Sequence, residues 1–122
     1  MILLIQPFLY TTIMNILFIC NQNENRSKTA EEIFKERFNT RSAGIYNTKP
    51  VTEKELSWAD IVIVMENAQR TEISNRFPRQ YMQRQIISLD IPDVYHYNQP
   101  ELIQILKSKI DENTKFIKPL HS

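Results

Sequence analysis

Two unbroken apolar runs, Ile16-Leu17-Phe18-Ile19 and Ile61-Val62-Ile63-Val64-Met65, constrain this chain more than any other feature. A strand with one wet face alternates apolar and polar residues, whereas one that is apolar at every position must be covered on both faces. Each run is followed by a segment with helical patterning. From Asn15 onward the pattern predicts a strand at 15–20, then a helix over 27–38 that starts at a capping Ser27 and places Ala30, Ile33, Phe34 and Phe38 on one face. A short extended piece, 40–44, follows. Thr52 and Glu55 have capping-box spacing for a short helix ending near Trp58. Next come the strand at 61–65, a polar helix over 67–76 that stops before Pro78, and a strand at Gln85-Ile86-Ile87-Ser88-Leu89. Asn98, with Glu101 three residues on, predicts the start of a last helix that buries Leu102, Ile105, Leu106 and Ile110. Strand–helix alternation of this kind predicts one three-layer α/β/α domain around a four-stranded parallel sheet.

The 122 residues suit one core. Residues 14–112 are the expected domain, with 113–122 a tail and 1–13 an extension outside the core. The prefix is apolar, yet no Lys or Arg precedes Arg26, and Gln6 and Pro7 interrupt it. It has neither the basic start of a signal peptide nor the length of a membrane span. Met14 is the expected natural start. A net charge of +1 argues against nucleic-acid and polybasic membrane partners. The single cysteine excludes an internal disulfide framework and a cysteine-rich zinc site, and it suits a reducing cytoplasm.

In parallel sheets of this class, ligands bind beyond the carboxyl ends of the strands. That edge receives Cys20, straight after the first apolar run, and the segment Asp90–Asp93 after the last strand. Between strand and helix lies Cys20-Asn21-Gln22-Asn23-Glu24-Asn25-Arg26-Ser27. Such a loop aims backbone N–H groups and the positive end of a helix dipole at whatever sits above the cysteine. A thiol is nucleophilic only as thiolate, the form that a helix N-terminus and a nearby arginine favour. Arg26 can offer a planar fork to two phosphoryl oxygens, Ser27 can donate to the sulfur, and loop amides can hold the remaining oxygens. The same spacing also suits a buried cysteine followed by a solvent-facing arginine.

The stretch from Asn15 to about Ile110 resembles the low-molecular-weight protein tyrosine phosphatases in a short bacterial-type form. The resemblance is carried by Ile16-Leu-Phe-Ile-Cys20, Arg26-Ser27, Thr29-Ala30-Glu31, Arg41-Ser42-Ala43-Gly44, Ala59-Asp60-Ile-Val-Ile-Val-Met65-Glu66 and Asp90-Ile-Pro-Asp93-Val-Tyr95, in the family's order. It implies a flavodoxin-like fold and a protein-tyrosine phosphatase that works through a phosphocysteine on Cys20 without a cofactor. Arg26 would bind the phosphoryl group and Asp93 would be the general acid, with Asp90 the competing aspartate. Asn21, Gln22, Asn23, Glu24, Asn25, Ser27 and Tyr95 would contact substrate, and Tyr46 and Tyr97 are further candidates for the cleft walls. The implied partner is a phosphorylated protein or a small phosphomonoester.

The departures are instructive. Gln22 stands where the family often has glycine, so Asn21, Asn23 and Asn25 are the residues left to tolerate a positive φ. Asn23 matches an asparagine that braces the family's loop. Asn25 replaces a frequent second cysteine, which removes a protective disulfide. Glu24 replaces an apolar residue that lies against the substrate ring, and a carboxylate there either faces solvent or favours a substrate carrying a cation. Trp58 and Met65 read as core. His96 and His121 have no metal-like spacing, so no metal is expected. Two other functions fit the same loop: a phosphate- or phosphopeptide-binding module without turnover, and an arsenate reductase that borrows an external thiol.

Overall fold

The computed structural model describes residues 14–113, so the expected extension at 1–13 and nearly all of the expected tail lie outside the described residues. Four strands, β1 (Asn15–Cys20), β2 (Asn39–Gly44), β3 (Ile61–Val64) and β4 (Gln85–Ser88), form one sheet in the order β2-β1-β3-β4. All neighbours are parallel. Among the described residues five helices connect and follow them: α1 (Arg26–Phe34), α2 (Glu53–Trp58), α3 (Asn67–Arg76), α4 (Pro78–Gln83) and α5 (Pro100–Glu112).

The apolar runs become the two central strands, and their alternating side chains split the core in two. Ile16, Phe18 and Cys20 from β1 face a layer built from Ala30 and Phe34 of α1 and from Leu102, Leu106 and Ile110 of α5. Phe18 and Phe34 stack there with ring centroids 5.9 Å apart. Leu17 and Ile19 face the opposite layer, with Leu56 of α2 and Ile73 of α3. Every residue of β3 is buried, as coverage on both faces requires. The Thr52–Glu55 capping box forms as expected, with Thr52 Oγ1 accepting from Glu55 N at 3.2 Å and Thr52 N donating to Glu55 Oε1 at 3.0 Å.

Four local expectations are corrected. Ser27 is not a cap: α1 begins at Arg26 after an N-cap Asn25 whose side chain forms no cap bond, and the Ser27 hydroxyl turns to the cysteine loop instead. The same helix stops at Phe34, and Arg37 N and Phe38 N both close back onto Phe34 O so that the chain can enter β2. Asn98 does not cap the last helix. It adopts φ 58°, its N–H donates to Thr29 Oγ1 at 2.9 Å, and Gln99 takes the N-cap position before Pro100. Finally, α4 was not expected. Pro78 does not simply end the preceding helix; it opens a new one, because a fixed φ and a missing N–H suit a first helical position.

Candidate active site

The carboxyl ends of β1 and β3 and the chain after β4 meet at one edge of the sheet. Cys20, only 3 % exposed, closes β1 beside Gly44 of β2. The loop that follows is anchored by its first residue. Asn21 O accepts from Ile45 N and from Tyr46 N, both at 2.9 Å. Gly44, the only glycine in the chain, permits this approach. A Cβ on it would lie 2.7 Å from Asn47 Oδ1 and 3.0 Å from Asn21 O, inside van der Waals contact. Asn23 adopts φ 56°, the left-handed conformation foreseen for one of the three asparagines, while Asn25 at φ −119° does not. The N–H groups of Gln22, Asn23, Glu24 and Asn25 have no backbone partner among the described residues.

One side chain inside the turn, Ser27, contacts the sulfur, and Asn23 holds that serine. Ser27 Oγ lies 2.9 Å from Cys20 Sγ and 2.7 Å from Asn23 Oδ1, to which it donates. A hydroxyl has one proton and two lone pairs. While it donates to Asn23 it can accept from the thiol S–H, and once the sulfur is ionised the same proton can turn to the thiolate. Asn23 therefore braces the loop through the serine, in keeping with the sequence expectation.

Among the described residues Arg26 is the largest fully buried side chain, at 1 % exposure. Its Nη1 donates to Ile91 O at 2.8 Å and pairs with Glu66 Oε1 at 3.1 Å. Its Nε has no hydrogen-bond partner and stands 3.7 Å from Asp93 Oδ1, too far for a hydrogen bond. A buried guanidinium N–H without an acceptor is costly unless something occupies the space in front of it. Arg26 also lines a recess of about 40 Å³ together with Cys20, Gln22, Glu24, Asn25 and Asp93. A solvent-facing arginine is thus excluded.

Of the residues singled out from sequence, these six meet in the recess. Asn21, Asn23 and Ser27 do not line it and instead shape the loop. Asp90 also stands apart: it is exposed, has φ 58° and approaches Ser88 Oγ at 3.5 Å. Tyr95 does not line the recess either, because its side chain packs against the α1/α5 core layer. Tyr97 lines a separate, larger cavity of about 350 Å³ with Lys28, Glu31, Glu32, Lys35 and Thr40. Tyr46 is exposed beneath the Arg76 guanidinium, 5.4 Å from its ring centroid. Trp58 packs with the α2/α3 core layer under Arg41, and Met65 is fully buried. Among the described residues no three His, Cys, Asp or Glu side chains gather as metal ligands, and no helix is long and apolar enough to cross a membrane.

Sequence reasoning missed two residues here, Glu66 and Gln69. Glu66 directly follows the second apolar strand, so the carboxyl-edge rule that singled out Cys20 also pointed to it. Gln69, 1 % exposed, had no such signal because its role is tertiary. Its Oε1 accepts from Met65 N at 2.8 Å and Glu66 N at 3.0 Å, and its Nε2 donates to Asn21 Oδ1 at 3.0 Å. One amide thereby ties the cysteine loop to the end of β3 and to the backbone of Glu66, the residue whose carboxylate holds Arg26.

No protein-family model and no curated protein sequence matches the chain. Solved structures do. The low-molecular-weight protein tyrosine phosphatase SP-PTP from Streptococcus pyogenes superposes with a TM-score of 0.72 at 14% identity, over 88% of this chain and 95% of that one. The YwlE arginine phosphatase from Geobacillus stearothermophilus gives a TM-score of 0.66 at 17% identity, over 86% and 96%. A YwlE mutant with a phosphorylated active-site serine gives 0.68 at 22%, over 86% and 98%. The flavodoxin-like arrangement expected from the sequence is thus the fold this chain shares with small bacterial phosphatases.

Proposed function

We propose that this chain is a cysteine-dependent phosphatase that removes phosphoryl groups from protein side chains. The observation that carries the reading is the buried Arg26, which has an unpartnered Nε and lines the same recess as Cys20. A bound phosphoryl group supplies the missing acceptor there, and the free loop N–H groups preorganise the charge that develops in the transition state. Cys20 Sγ attacks phosphorus and the bond to the leaving atom breaks. Asp93, on the recess wall, gives that atom a proton. The Asp93 carboxylate then takes a proton from water, whose oxygen attacks the phosphocysteine and releases the Cys20 thiolate with inorganic phosphate. Ser27 stabilises the sulfur as it leaves, by turning its hydroxyl from Asn23. No step calls for a metal or an organic cofactor.

The resemblance implies phosphotyrosine as substrate, and the structural neighbours are named as tyrosine phosphatases and arginine phosphatases. The same sequence of bond changes serves both. The test is phosphate release from p-nitrophenyl phosphate by the wild type beside Cys20→Ser and Arg26→Ala, with arsenate as a separate reactant. Loss of release in Cys20→Ser and a fall of about 10²–10³-fold in Arg26→Ala are expected. Release that persists in Cys20→Ser refutes the reading, and its absence in the wild type at every pH favours a binding module.

A further inference from the structure

Asp93 is held in place by its loop rather than by its own side chain. That side chain is 55 % exposed, and its one ion pair among the described residues, with Arg26 Nε at 3.7 Å, is too long for a hydrogen bond. The loop is itself sparsely tied. At its start Ile91 N donates to Met65 O, and Ile91 O accepts from Arg26 Nη1, both at 2.8 Å. The bonds from His96 N to Gln99 Oε1 and from Gln99 N to His96 O stay within the segment. Among the described residues, positions 92–98 make one hydrogen bond to another element, from Asn98 N to Thr29 Oγ1 at 2.9 Å. Tyr95 adds an apolar contact with the α1/α5 layer.

Thr29 lies one turn beyond Arg26, so the two side chains leave the same face of α1. Both are buried, at 0 % and 1 % exposure. A threonine inside a helix ordinarily turns its hydroxyl back to the preceding turn. This one offers its oxygen to a distant segment, at a residue that holds φ 58°. Arg26 thus grips the loop at Ile91 and Thr29 grips it at Asn98. One helix carries both grips, and the same helix brings Arg26 to the wall of the Cys20 recess.

We infer that Thr29 is a positioning residue for the general acid: its hydroxyl fixes the far end of the Asp93 loop to α1 and so sets where the Asp93 carboxyl meets the leaving group. The inference rests on the phosphatase reading above. Thr29 does not line the recess and takes no part in the proton transfers; it acts through the backbone of Asn98. Without that bond the segment keeps only its start at Ile91 and the Tyr95 packing. Asp93 then spreads over positions out of hydrogen-bond reach of the departing atom, and general acid catalysis depends on that reach.

The experiment measures kcat/KM of the full chain over a series of aryl phosphates, from p-nitrophenyl phosphate to phenyl phosphate. The proteins are the wild type, Thr29→Val, Thr29→Ser, Asp93→Asn, Cys20→Ser and the double variant that joins Thr29→Val to Asp93→Asn. Valine replaces the hydroxyl by a methyl group at nearly the same volume; where thermal unfolding shows that it is not accommodated, Thr29→Ala takes its place. A p-nitrophenoxide leaves with little help from an acid, whereas phenoxide needs the most. Thr29→Val should therefore lose about tenfold on phenyl phosphate and stay within about twofold on p-nitrophenyl phosphate. Thr29→Ser keeps the acceptor and should restore the wild-type dependence on leaving group. The double variant should lose no more than Asp93→Asn alone, because both changes act through one proton transfer. A loss equal for all leaving groups, a loss that adds in full to that of Asp93→Asn, a loss that serine does not rescue, or no loss at all overturns the inference while the phosphatase reading stands. If the wild type releases no Cys20-dependent phosphate from any of these esters, the phosphatase reading falls and takes the inference with it.

Discussion

Gln69 offers a sharp test of how the cysteine loop is held. Leucine has nearly its volume, so Gln69→Leu leaves little cavity and isolates the polar loss. Three hydrogen bonds disappear, but they do not cost alike. Met65 N keeps a partner, since it also donates to Ile19 O at 3.1 Å. Glu66 N and Asn21 Oδ1 lose theirs in a part-buried setting where water only partly replaces them. Each orphaned group costs at least about 1 kcal/mol, so the variant should lose about 2–3 kcal/mol. For a domain near this size that lowers Tm by roughly 10–20 °C. Guanidinium unfolding should show a lower midpoint with an unchanged slope, which marks a loss of native stability rather than a change in the unfolded state. Asn21→Ala is the control. It removes only the bond from Gln69 Nε2 and leaves those from Met65 N and Glu66 N, so the loss should be about 1 kcal/mol. If Gln69→Leu costs under about 0.5 kcal/mol, or if the two variants lose equally, the amide is not the tie described here.

Other perturbations probe the same edge. Ser27→Ala removes the hydroxyl beside Cys20 Sγ and should lower kcat by about 10–100-fold with KM little changed, consistent with the loss of one charge-assisted hydrogen bond; steady-state kinetics checks it. Asp93→Asn should lose turnover mainly for substrates with poor leaving groups, by about 10²–10⁴-fold, whereas Asp90→Asn should not; the reverse pattern moves the general acid to Asp90. Gly44→Ala puts a Cβ 2.7 Å from Asn47 Oδ1 and 3.0 Å from Asn21 O. The asparagine side chain can swing away but the carbonyl cannot. Thermal unfolding should show a loss of about 1–3 kcal/mol, only partly recovered by adding Asn47→Ala.

The parts of this molecule that local pattern controls were legible in the sequence. Unbroken apolar runs at Ile16–Ile19 and Ile61–Met65 announce doubly covered strands, and the Thr52–Glu55 box announces a helix start. Both depend on residues within a few positions of one another. The elements misread were those where a local signal has two meanings. Pro78 both ends α3 and begins α4, and Asn98 has the composition of a cap but is drawn into a left-handed turn by Thr29, far away in the chain. At the recess, Cys20 and Arg26 stand out in the sequence because the chemistry names their residue types, and Asp93 stands out from Asp90 only through the family resemblance. Gln69 was invisible because a glutamine on a polar helix looks solvated until Asn21 is placed opposite it. Tyr95 was misplaced for the complementary reason: an aromatic ring can pack against core or substrate, and only the packing of the α1/α5 layer decides which.

The central claim is that Cys20 accepts the phosphoryl group while Arg26 holds it. Rapid acid quench of the enzyme with p-nitrophenyl phosphate, followed by mass spectrometry of the peptide containing Cys20, tests it most directly. A single phosphoryl group on Cys20 in the wild type, and no phosphorylated peptide or phosphate release in Cys20→Ala, is the expected result. Phosphate release from Cys20→Ala at the wild-type rate, or a phosphoryl group found on any other residue of the working enzyme, would contradict it.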